Sequence, residues 1–191
     1  MPIPLGVLAV AGAGAAGGAS SFDLLETTVL GTAAASITFS SLGSYSDYKH
    51  LQIRLTGRVA SATTNSNNLG IQFNSDTTGV YTDHVLNGNA TQVSSSANVG
   101  ATRIQIRDCL PGNSNSSGVF GAAVIDLLEF NSSLKNKTIR SLSGAYSSTE
   151  QDVILTSGVR VNTNAITSIT LFDVGSTNLV IGTRASIYGI K

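Results

Sequence analysis

The side chains able to do chemistry in this chain are few and stand apart from one another. There are two histidines, His50 and His84, and one cysteine, Cys109. A zinc site draws on several His, Cys or carboxylate ligands at close spacing. Asp83 and His84 are adjacent, and neighbours on a strand point to opposite faces. A lone cysteine excludes an internal disulfide and a cysteine-based metal site. Within Ile104-Gln-Ile-Arg-Asp-Cys-Leu110 it reads as a small buried hydrophobe. The carboxylates are scattered: Asp126 and Glu129 fall on opposite faces of a strand, and Glu150 and Asp152 read as turn polarity. Gly12-Ala-Gly-Ala-Ala-Gly17 has the spacing of a dinucleotide-binding loop, which needs a strand before it and a helix after it. Here it lies in a Gly/Ala tract, and the chain beyond it is all strand. These residues predict no catalytic centre, no metal site and no cofactor; the chain reads as a non-enzyme.

The elements that carry these residues follow a period of two. Residues 22–30, 36–40, 48–59, 69–73, 80–86 and 102–110 read as strands, as do 137–146, 153–161, 166–174 and 179–190. Residues 74–79 read as a hairpin connection, and 111–118, opened by Pro111-Gly, is the strongest break. The denser apolar run 119–130 reads as a strand buried on both faces. Short strands about ten residues apart predict an all-β antiparallel β-sandwich, jelly-roll-like, over residues 21–191. An extended apolar N-terminal arm, residues 1–20, precedes it.

Composition narrows the partners. Of 191 residues 41% are hydrophobic and only 12% charged, against roughly 25% charged in an ordinary domain. Ser, Thr, Asn and Gly must therefore supply the surface. Eleven basic and eleven acidic residues cancel, which argues against nucleic acid as a partner and removes the repulsion that keeps monomers apart. The first basic residue is Lys49, so the arm lacks the positive n-region of a signal peptide. Its Gly and Ala make it a poor membrane span. The arm reads as a tether held by another protein, with Ile3, Leu5, Val7, Leu8 and Val10 as the anchor and a bare backbone able to join a sheet edge.

Several stretches resemble small structural proteins of tailed-bacteriophage virions, of the tail-fibre or minor structural type. They are the Met1-Pro-Ile-Pro-Leu-Gly start, Ser36-Ile-Thr-Phe-Ser40, Tyr48-Lys-His-Leu-Gln-Ile-Arg54, Asn136-Lys-Thr-Ile-Arg140, Ile166-Thr-Ser-Ile-Thr-Leu171 and Ser186-Ile-Tyr-Gly-Ile-Lys191. The resemblance implies a β-sandwich virion component, assembled in the host cytoplasm as a symmetric oligomer, with no catalytic motif. The expected role is a trimeric tail or baseplate fibre subunit, anchored to other virion proteins by its arm. Its loops 61–68, 87–98 and 111–118 would touch a host-surface glycan or protein, with Asn65, Asn67, Asn87, Asn89, Asn113 and Asn115 as contact candidates. Tyr81 or Tyr146 would stack on a sugar. Capsid decoration is the alternative, and a glycan-degrading tail enzyme a remote third.

Overall fold

The period-two patterning becomes strands in the computed structural model, which describes residues 21–148 and 151–191. The anchor residues Ile3, Leu5, Val7, Leu8 and Val10, and the whole arm, lie outside the described residues. In chain order the strands are β1 (Phe22–Val29), β2 (Ser36–Phe39), β3 (His50–Gly57), β4 (Ser66–Phe73), β5 (Tyr81–Gly88) and β6 (Val93–Ala101). There follow β7 (Ile104–Pro111), β8 (Gly121–Leu128), β9 (Lys137–Tyr146), β10 (Gln151–Arg160), β11 (Ile169–Asp173) and β12 (Arg184–Ile190). A single 3-10 turn, Leu42–Tyr45, is the only helical element among the described residues. No helix there is long and apolar enough to cross a membrane.

All ladders are antiparallel. One sheet has eight strands, in the order β1-β12-β3-β8-β9-β10-β5-β6, and the other has four, β2-β11-β4-β7. They pack face to face as a β-sandwich, the architecture that the spacing of short strands predicts. Alternate residues meet in the core: Leu51, Ile53 and Leu55 of β3, Ile125 and Leu127 of β8, and Ile187 of β12 on one side. Leu69, Ile71 and Phe73 of β4, Ile104 and Ile106 of β7, and Leu171 of β11 face them from the other. Cys109 is wholly buried among them. Burial pushes its thiol up to about 12, since a thiolate there would lose its hydration. The two sheets approach closely where β8 leaves the loop end: a Cβ on Gly121 would stand 2.0 Å from the Cys109 carbonyl oxygen.

Three expectations are corrected. The run 119–130 is not a strand buried on both faces; β8 alternates, with Ala123, Ile125 and Leu127 inward and Val124 and Leu128 exposed. Segment 74–79 is not a hairpin connection, because β4 and β5 belong to different sheets. Its turn is real, with Asn74 and Ser75 both left-handed at φ +54° and the Asp76 amide bonded to the Phe73 carbonyl. Segment 87–98 is not a loop. Asn87 lies in β5, which ends at Gly88, Val93 opens β6, and only the turn 89–92 lies between them.

Candidate functional site

Strand directions sort every connection to one end of the sandwich or the other. β3, β5, β7 and β9 run toward the end that carries the turn 89–92, the connections 58–65 and 112–120, and residues 147–148. Parts of all three regions expected to touch a host surface, 61–65, 89–92 and 112–118, therefore share that end. Phe22, where the chain enters β1, pairs with Ile190 at the opposite end. Eight residues of strand separate the two ends, roughly 27 Å.

Arg58 builds the loop end. Its side chain is buried, and its guanidinium donates to backbone carbonyls of Asn113 (3.0 Å), Asn115 (2.6 Å) and Ser116. It also reaches the side-chain oxygen of Asn113 at 3.3 Å. A loop with no regular backbone pairing thus satisfies its carbonyls on one cation. Asn115 is buried as well, which removes it as a contact residue. Its Nδ2 donates to the Thr64 and Gly112 carbonyls, and its Oδ1 accepts from the Ser148 amide, so it staples three connections together. Asn65 and Asn113 are exposed at the same end, and Asn67 is half-buried in β4. Asn87 and Asn89 line a polar hollow of about 390 Å³ with Thr91, Asp108, Ser148 and Asp152. Asn89 is largely a turn residue, its Oδ1 accepting from the amides of Thr91 and Gln92.

The remaining candidates separate. Tyr81 is not an exposed stacking platform; it is wholly buried, and its hydroxyl bridges to the backbone of Phe73 in the other sheet. Burial raises its pKa above the ordinary tyrosine value. Tyr146 is exposed at the loop end. His50 is spent on structure, its Nδ1 accepting the Glu129 amide at 2.9 Å. Asp83 points inward and His84 outward, as adjacent strand residues must. Among the described residues no three His, Cys, Asp or Glu side chains gather closely enough to hold a metal ion.

The outer face of the eight-stranded sheet holds a surface that single-strand reading missed. Val124, Leu142, Leu155 and Leu86 are direct cross-strand neighbours on β8, β9, β10 and β5, and each is 40–53% exposed. Beside them runs a polar row in which Gln52 donates to Asp126 at 2.8 Å and Arg140 meets Asp126 at 3.2 Å. The apolar row, Asp126 and Arg140 of the polar row, and Ser95 and Ala97 of β6 line a shallow concavity of about 940 Å³. Its signal was present in the sequence as strands apolar on both parities, Ala123-Val-Ile125 and Val153-Ile-Leu155. Comparison with protein-family models, with curated proteins and with solved structures found no match.

Proposed function

We propose that the chain is a structural subunit of a tailed-bacteriophage virion, a trimeric tail or baseplate fibre component rather than an enzyme. In this reading residues 1–20 attach it to the particle and the loop end faces the host surface. The observation that carries the reading is the opposition of the two ends. The chain enters the sandwich at Phe22, while the turn and connections at 58–65, 89–92 and 112–120 gather at the far end. An arm fixed to a particle would leave those loops pointing away from it. Their exposed Asn and Ser side chains, with Tyr146, offer the hydrogen bonds and ring face that a glycan or polar protein surface requires.

The test is immunogold electron microscopy of particles of the phage that carries this sequence, with and without codons 2–20. Label at the tail tip, lost on deletion, is the expected result. Label spread over the head would replace the fibre reading with capsid decoration. Normal labelling of the truncated protein would overturn the anchor.

A further inference from the structure

We infer that the outer face of the eight-stranded sheet is where copies of this chain meet, a second copy seating on the row Val124, Leu142, Leu155 and Leu86. This deepens the oligomeric part of the reading above, and it needs neither the arm nor a phage. Four large aliphatic side chains stand side by side about half exposed. Completing the burial of each is favourable, because it removes the remaining apolar surface from water.

Area and charge favour a second copy over a foreign partner. Five adjacent strands, β8, β9, β10, β5 and β6, form this part of the face. At a spacing of about 4.8 Å and about eight residues in length they present roughly 600 Å² before side-chain relief is counted. That approaches the ~800 Å² that each partner brings to a standard stable interface. The charges flanking the apolar row are few: Asp126 and Arg140, paired at 3.2 Å, and Arg54, which stands across from Val124 on β3 and lies over the rings of Phe22 and Tyr188. A face so sparsely charged meets its own copy without strong repulsion, whereas a heavily one-sided face would select an oppositely charged partner.

The edge beside the face points the same way. β6 runs from Val93 to Ala101 without Lys, Arg, Asp, Glu or Pro, and it pairs only with β5 among the described residues. Edge strands of free monomers are normally blunted by charge, proline or brevity, because a bare edge recruits another strand. β6 lacks the first two and is nine residues long; its one irregularity is the bulge at Val99–Gly100, away from Ser95 and Ala97, which lie within the concavity.

The experiment is sedimentation equilibrium on the full chain, its double variant Leu142→Glu/Leu155→Glu, and Leu134→Glu, which alters an exposed leucine away from the face. The wild type and Leu134→Glu are expected at a multiple of 19.6 kDa, and the double variant at one chain with an unchanged circular-dichroism spectrum. If the double variant misfolds, Arg140→Asp takes its place, with association weakened at least about tenfold by like charges brought together. A wild type of single-chain mass overturns the proposal. So does a folded face variant that associates like the wild type. Removing residues 2–20 must leave the oligomer intact, and a monomer there would assign association to the arm instead. Failure of the truncated chain to join particles while still oligomeric bears on the virion reading alone.

Discussion

Arg160 is buried, and its Nε and Nη2 both donate to Asp76 Oδ2, at 3.1 and 2.7 Å. Asp76 also accepts from the hydroxyl and amide of Thr78. Those two bonds, then Arg160, hold its carboxyl down to about 2. The folded state therefore resists protonation that the unfolded chain accepts near the usual carboxylate value. The resulting stability is present above about pH 4 and is lost as pH falls toward about 2. In Asp76→Asn the urea midpoint should lose this acid-side slope. At neutral pH the variant should be less stable by about 3 kcal/mol, because the buried guanidinium is left without its counter-charge. Gly121→Ala drives a methyl into the Cys109 carbonyl, a backbone group with little room to retreat. It should cost about 2 kcal/mol in urea unfolding. Cys109 itself should ignore thiol reagents until denaturant opens the core, as its burial and raised pKa require. Its buried character was legible in the alternation around it. The partners of Arg160 and Arg58 were not, because each lies more than 50 residues away along the chain.

Arg58 is the element-scale counterpart, one cation tying the connection 112–120 to the end of β3. Arg58→Leu should speed amide hydrogen exchange across residues 113–119. It should also lower stability by about 3 kcal/mol, since several carbonyls lose their donor together. Strand identity followed the pattern wherever one face is buried, as in β2, β3 and β9. It failed for β6, exposed along nearly its whole length and carrying only Val93 and Val99 as large apolar residues. Such a strand exists because β5 offers it a ladder and the Asn89 turn returns the chain to it. Periodicity records burial, so a strand without burial leaves no period. β8 failed in the opposite sense. Its outward Val124 belongs to the apolar row of the outer face, which made an alternating strand look buried throughout.

At the scale of the whole molecule, the association proposed above would be linked to folding. A copy binding only the folded face stabilises the native state by mass action. The thermal midpoint of the full chain should therefore rise with protein concentration, and that of Leu142→Glu/Leu155→Glu should not. Differential scanning calorimetry over a hundredfold concentration range reads both. The sequence by itself determined the strands that bury one face, the scarcity of catalytic side chains and the neutral, charge-poor surface, because each is written in local composition and period. Tertiary structure alone decided which strands share a sheet, that β4 and β5 part at the Asn74 turn, and that Asn115 is a buried staple rather than a contact residue. It also decided that four leucine and valine side chains from separate strands form one exposed row. Those outcomes depend on ladders closed between residues distant in the chain, and pairing of that kind leaves no mark in any single stretch of sequence.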